Sequence, residues 1–213
     1  YFGSAIDAAV MALLEGKPDY INIFKDRWHK AFQYGKATPI FDNPNIVYSY
    51  NDFDEHVLEP KDKDTLLLWA AELQVGDSEN TIELIKSIAK SKKNPFKQPT
   101  AAETRLFNRA NWLSLKRKGV ILLESFKNQF YPKITKVIAT QRYASIKDDS
   151  TGDSITGVID MVLEIEGHTK PIIFDLKTAS QPYTQDQIDL TEQLTLYSAM
   201  KSQDWNTDLV GYV

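Results

Sequence analysis

The sequence predicts an α/β or α+β protein, a central mixed sheet flanked by helices, with a helical N-terminal elaboration. Apolar residues recur at helical spacing through the first 130 residues, and after Pro132 the spacing changes to that of strands. Three consecutive strand patterns are then followed by a helix and a fourth strand, an order that stacks helices on a sheet.

The elements follow in order. Ser4 reads as an N-cap before Ile6, Val10, Leu13 and Leu14, and Gly16 with Pro18 stops that helix. Residues 20–34 repeat the pattern with aromatics, Tyr20, Phe24, Trp28 and Phe32. Residues 37–63 are rich in Pro, Asn and Asp, with a short strand pattern at Ile46–Tyr50. Weaker helical patterns occupy about 64–74 and 80–90. Thr100-Ala-Ala-Glu103 fits a capping box, in which the Thr hydroxyl and the Glu carboxylate each satisfy a free backbone N–H. It opens a helix carrying Leu106, Ala110 and Leu113, and a further helix carries Leu123, Phe126 and Phe130. Strands are predicted at 134–146, 155–165 and 171–178, with turns at 148–153 and 166–168. Residues 185–201 return to helix, and 208–213 read as the fourth strand. The chain is read as one domain over 1–213, mainly helical to 130 and built on the sheet from 131.

Composition narrows the chemistry. The 213 residues contain no Cys, so disulfides, thiolate zinc sites, iron–sulfur clusters and cysteine nucleophiles are excluded. No apolar run approaches the roughly 20 residues of a membrane helix, and no secretory leader opens the chain, so a cytoplasmic location without membrane contact is expected. The chain opens at Tyr1 and stops at Val213 within a strand pattern, which reads as a fragment or the ordered part of a longer protein. Net charge is −4, but the charge is segregated. Residues 86–118 hold 10 Lys and Arg against Glu103 alone, giving +9 there and −13 elsewhere. Clustered bases of that kind make a phosphate track or a solvated helix surface. His29, His56 and His168 have no metal-ligand spacing, and no nucleotide-binding glycine loop or nucleophile elbow is present.

Two carboxylates and a lysine stand out on the predicted sheet. Ile155, Ile159, Met161, Leu163 and Ile165 share one parity, which turns Asp160 to the other face of its strand. On the next strand Ile172, Phe174 and Leu176 share one face, and Asp175 and Lys177 share the other. Charged residues at such positions are paired or bind a metal. Phosphodiester hydrolysis wants this set: carboxylates hold Mg²⁺, and a lysine orients the attacking water and offsets developing charge. On Asp175-Leu-Lys177 alone, an Asp–Lys salt bridge on an exposed sheet face is the better fit.

Three segments in series then add weight. Gly157-Val-Ile-Asp160, Ile173-Phe-Asp175-Leu-Lys177-Thr178 and Glu192-Gln193-Leu-Thr-Leu-Tyr197 resemble the motifs of the PD-(D/E)XK nuclease superfamily, in its RecB-like, phage-type exonuclease branch. The pattern there is G-x-x-D, D-x-K on the next strand, and Q-hydrophobic-x-x-Y on the following helix. Here 15 residues separate Asp160 from Asp175, and 16 separate Lys177 from Gln193. The resemblance covers about residues 134–213 and implies a restriction-endonuclease-like core. It implies Mg²⁺ or Mn²⁺ held by Asp160, Asp175 and the Leu176 carbonyl, with Lys177 catalytic and Gln193, Tyr197 and Thr178 toward the substrate.

The family's first helix opens G-[ST]-x-x-H. Gly3-Ser4-Ala5-Ile6-Asp7 looks like that helix with Asp7 at the histidine position, and a carboxylate is a good hard ligand. Asp7 also suits the first turn of a helix for purely electrostatic reasons. Glu124 reads as an exposed helix residue, Gln141 as a strand residue, and Ser180 as a loop residue. The expected substrate is DNA, linear duplex or single strand, with a recombination or single-strand-binding protein as a further partner. The competing expectations are a non-catalytic DNA-binding or complex-assembly module on the same fold, and a structure-specific or sequence-specific endonuclease.

Overall fold

Backbone chemistry at the helix ends sets most boundaries in the computed structural model, which describes residues 2–33, 60–75, 98, 100–147, 149–178, 184–189, 192–200, 205 and 209–213. The expected strand at 46–50, the helix at 80–90, His56, Ser180 and five of the clustered lysines (Lys86, Lys90, Lys92, Lys93, Lys97) lie outside those residues. Helix α1 spans Phe2–Leu14, so Ser4 sits inside its first turn and is not the N-cap expected for it. The helix closes as expected at Gly16, whose φ of 78° lets Gly16 N–H reach Leu13 O and Lys17 N–H reach Ala12 O. Helix α2 spans Tyr20–Gln33 and α3 spans Pro60–Glu72.

The capping box forms: Thr100 N–H donates to Glu103 Oε2 at 2.7 Å, and Glu103 N–H donates to Thr100 Oγ1 at 3.2 Å. It opens α4 (Ala101–Ser125), one helix of 25 residues where two were expected. Gly119 lies inside this helix. The Phe24 ring lies directly on it, closer than any side chain would allow. Beyond α4 the chain widens into a π turn at Phe126–Phe130 and then tightens into a 3₁₀ turn at Tyr131–Lys133 before entering the sheet.

Two compact units emerge, Tyr1–Ala9 with Pro18–Leu123, and Val10–Lys17 with Glu124–Val213. The first is held by aromatics of α2 and α4. Trp28 Nε1 donates to Trp112 O at 3.0 Å and Trp112 Nε1 donates to Trp28 O at 3.3 Å, with the two rings stacked. Each indole N–H is thereby satisfied in the buried interior, which is the condition for burying a tryptophan completely. Arg109, one of the ten clustered bases, is also turned inward: it is buried, pairs with Glu72 at 3.3 Å and lies over the Trp69 ring. It therefore belongs to the packing of this unit and not to a phosphate track.

The second unit carries a four-stranded sheet in the order β1 (Ile134–Lys147), β2 (Ser154–Ile165), β3 (Ile172–Asp175), β4 (Leu209–Tyr212). The first three strands are antiparallel neighbours, while β3 and β4 run parallel, so the sheet is mixed as expected. Between β3 and β4 stand α5 (Gln185–Asp189) and α6 (Glu192–Met200), within the single helix expected at 185–201. Helix α5 opens with its own capping box: Thr184 N–H donates to Gln187 Oε1 and Gln187 N–H donates to Thr184 Oγ1. From α6, Leu194, Tyr197 and Met200 pack on Ile159, Val162 and Ile173. No helix among the described residues is long and apolar enough to cross a membrane.

A stability test follows from Gly119. A Cβ there would lie 2.6 and 2.7 Å from two ring carbons of Phe24, and closer still to a third. Alanine gains about 1 kcal/mol over glycine inside a helix, whereas overpacking a full core costs about 1–3 kcal/mol. Because Phe24 is fully buried, the second effect wins. Gly119→Ala is expected to lower the urea midpoint, and paired Phe24→Leu is expected to recover part of the loss.

Candidate active site

The register of β2 and β3 brings the two carboxylates together. Their rungs run Leu163↔Ile172, Val162↔Ile173 and Met161↔Phe174, so the next position sets Asp160 opposite Asp175. That rung does not form. Instead Leu176 N–H donates to Asp160 Oδ2 at 2.8 Å, so a side chain takes the place of the backbone acceptor. The strand β3 consequently ends at Asp175, three residues short of the expected 178. On its other side the segment stays tied to β4: Val213 N–H donates to Asp175 O, and Lys177 N–H donates to Val213 O. Asp175-Leu176-Lys177 is thus held from both flanks.

All four residues of β3 are buried, Asp175 at 2% exposure. A carboxylate so placed must be paired and hydrogen-bonded. Gln193 Nε2 donates to its Oδ1 at 2.7 Å, and Lys177 Nζ lies 2.5 Å from its Oδ2. That ion pair falls outside hydrogen-bonding geometry, leaving Oδ2 a buried oxygen with charge compensation and no hydrogen-bond donor. The Gln193 amide serves three groups at once, since its Oε1 also accepts from Lys177 Nζ at 2.8 Å and its Nε2 also donates to Tyr197 OH at 2.8 Å. The Tyr197 hydroxyl has one proton to give, and the near acceptor is Val158 O at 2.7 Å, with Asp175 Oδ1 farther off at 3.4 Å. The Lys177 ammonium also stands over the Tyr212 ring, 5.4 Å from its centre.

Burial pushes the Tyr197 phenol up to about 12. The hydrogen bond from Gln193 works against that rise, while the negative charges of Asp175 and Asp160 reinforce it. The hydroxyl is therefore a neutral donor and acceptor across the whole physiological range.

Of the predicted site residues, Asp160, Asp175, Lys177, Gln193 and Tyr197 meet in one network of the second unit, with Leu176 supplying the N–H that anchors Asp160. Thr178 follows, half-buried, just past Lys177. Asp7 is half-buried on α1 in the first unit. Among the described residues, no group of three or more His, Cys, Asp or Glu is arranged to hold a metal ion. Glu124 and His168 are exposed, as read from sequence. The sequence pattern does not reveal Val158 O, Val213 O or the Tyr212 ring. The first two are backbone groups that any residue type would provide, and an aromatic on a strand reads as core.

One expectation about faces is overturned. Ile159 was grouped with Met161 and Leu163 by parity, yet it packs with Val162, Ile173, Leu194, Tyr197 and Met200. Ile155, assigned to the same apolar face, is half exposed. Alternation thus fails in β2 at Asp160, because the backbone there leaves its ladder with β1, passing from Thr140↔Met161 to Arg142↔Ile159 with no Gln141–Asp160 rung.

Comparison with protein-family models, curated proteins and solved structures returns no match for this chain.

Two outcomes test the network. Tyr197 keeps its proton in the folded chain between pH 10 and about 12, where the unfolded chain loses it, so its contribution to stability falls as pH rises through that window. Tyr197→Phe is expected to remove a tyrosine absorbance step near pH 12 and to flatten the stability loss above pH 10. Gln193→Leu strips the Asp175 carboxylate and the Lys177 ammonium of their shared amide, and a cost of about 1–3 kcal/mol in chemical denaturation is expected. Gln193→Glu is expected to cost more, by setting a second carboxylate against Asp175.

Proposed function

We propose that the chain is a divalent-metal-dependent DNA nuclease, acting as an exonuclease on phosphodiester bonds in recombination or repair. The observation that carries the reading is the single network joining Asp175, Lys177, Gln193 and Tyr197, with Asp160 tied in at the Leu176 amide. These are the residues of the G-x-x-D, D-x-K and Q-x-x-x-Y segments, which follow one another within residues 157–197 and meet here where β3 ends beside the middle of β2.

The donor set suits a hard cation. Asp160 and Asp175 are oxygen donors on facing strand positions, and Asp175 Oδ2 is a buried oxygen without a hydrogen-bond donor. Mg²⁺ or Mn²⁺ would be held by these two carboxylates and the Leu176 carbonyl, with Asp7 as the further ligand that the first-helix resemblance implies. Such an ion, when bound, supplies Lewis acidity and a more acidic water. The remaining work belongs to the chain. Lys177, oriented by Gln193, places the attacking water and offsets the negative charge that grows on the phosphoryl oxygens. Tyr197, neutral and anchored to Val158 O, holds Gln193 in the orientation that serves both Lys177 and Asp175. Thr178 faces the substrate in this reading, and the clustered bases other than Arg109 track phosphates.

A second reading draws on the same contacts. Lys177 and Asp175 neutralise one another, as in a purely structural polar network, and this favours a DNA-binding or assembly module that has kept the nuclease architecture. Cleavage assays separate the two. Linear and circular DNA are incubated with Mg²⁺, with Mn²⁺ and with EDTA. Metal-dependent loss of linear DNA is expected, falling about 10²–10³-fold in Lys177→Ala, the range seen when one charge-stabilising donor is removed. Asp160→Ala is expected to abolish it. Retention of DNA by the unmodified protein without cleavage under either metal selects the binding module, and nicking of circular DNA selects an endonuclease.

A further inference from the structure

The β1–β2 hairpin contains a paired irregularity at the candidate site. The ladder has the same register on either side, Ala139↔Val162 and Thr140↔Met161 before it, Arg142↔Ile159 and Tyr143↔Val158 after it. One residue of each strand is left out, Gln141 and Asp160. Gln141 has φ of 49°, in the left-handed region that non-glycine residues seldom enter and that strands do not use.

Packing shows what this does. Beyond the irregularity a Cβ added at Gly157 would touch Met200 and Tyr197, and Ile159, two residues on, joins the same cluster. Before it, Val162 joins that cluster as well. On β1 the residues packed there are Ile138 and Ala139, at the register shift that follows Val137, on one side of Gln141, and Ala144 and Ile146 on the other. On β2 the positions facing α6 pass from Gly157 and Ile159 to Val162, an odd step, and their partners Ala144 and Ala139 follow them, so both strands turn over between them. A strand without such a turn would keep period 2 throughout.

We propose that Gln141 is a positioning residue for the candidate site. Its left-handed backbone turns β1 over opposite Asp160, which takes Asp160 out of the ladder and aims its carboxylate at Leu176 N–H, beside Asp175. Local strain of this sort persists only where the surrounding structure enforces it, and it clusters at functional positions. The backbone conformation of residue 141 carries the effect. As a statement about catalysis the inference rests on the nuclease reading; as a statement about Asp160 it does not.

The test compares substitutions by their tolerance of positive φ. Gly adopts it freely and Asn readily, whereas Ala resists it and β-branched Val resists it most. Hydrogen exchange at the Leu176 amide reports the Asp160 contact without any activity, with the Ile173 amide in the regular ladder as control. Gln141→Gly and Gln141→Asn are expected to keep unmodified protection at Leu176. Gln141→Val is expected to lose about tenfold or more there with Ile173 unchanged, and Gln141→Ala, the milder change, to lose less. In DNA cleavage the Val and Ala variants are expected to fall in kcat with KM held, and the Gly and Asn variants to match the unmodified chain. Equal losses in Gly and Val variants, or full Leu176 protection in both Val and Ala variants, would overturn the proposal. If no form cleaves DNA while the exchange pattern holds, the nuclease reading fails and the positioning role stands.

Discussion

A carboxylate buried to 2% exposure at the end of a fully buried strand constrains everything around it. An unpaired charge in such a place costs several kcal/mol even after relaxation, so Asp175 obliges the fold to deliver a cation and a donor. Lys177 is the cation, two residues on and on the same side of the chain. Gln193 is the donor, brought by α6 from the next stretch of helix. The amide must present its oxygen to Lys177 and its nitrogen to Asp175, and Tyr197 one turn later holds it that way. The register of the sheet, the seating of α6 and the parallel docking of β4 all serve this one requirement.

The same region shows a regular element giving way to a local demand. Continuing the β2–β3 ladder by one rung would set two acidic residues face to face with their backbones paired. The chain instead lets Asp160 accept from Leu176 N–H, and it does so where β2 has already left its ladder with β1 at Gln141. Two neighbouring ladders thus relax at the same residue. Stability elsewhere in the chain comes from conventional sources, such as the reciprocal indole-to-carbonyl bonds of Trp28 and Trp112 in the other unit. A polar network that is fully connected rigidifies its surroundings, whereas a partly connected one destabilises them. In this one Asp175 Oδ2 is buried without a hydrogen-bond donor and is compensated by the Lys177 ammonium alone.

Much of the architecture was legible in the residues. The change of period near Pro132, the capping box at Thr100 and the glycine turn at Gly16 depend on interactions within a few residues, and each appears where local pattern places it. Errors fell where a distant contact overrode a local signal. Leu123 reads as part of a separate helix, and instead α4 runs through it and past Gly119, where Phe24, 95 positions earlier in the chain, takes the room. Arg109 looked like part of a basic track, and a glutamate from α3 with the Trp69 ring drew it inside. The strict alternation expected in β2 failed at Asp160 because strand parity is a property of an intact ladder, and the ladder is interrupted there.

By itself the sequence determined the strand–strand–helix order and the residue types of the network, Asp160, Asp175, Lys177, Gln193 and Tyr197, because motif spacing and side-chain period are local properties. Only the tertiary structure decided how they join. The pairing of Gln193 with Lys177, the Val158 and Val213 carbonyls, the Tyr212 ring and the left-handed turn at Gln141 depend on which strands become neighbours and in what register. Backbone donors and acceptors are the same in every residue, so no sequence pattern marks which of them a buried side chain will find.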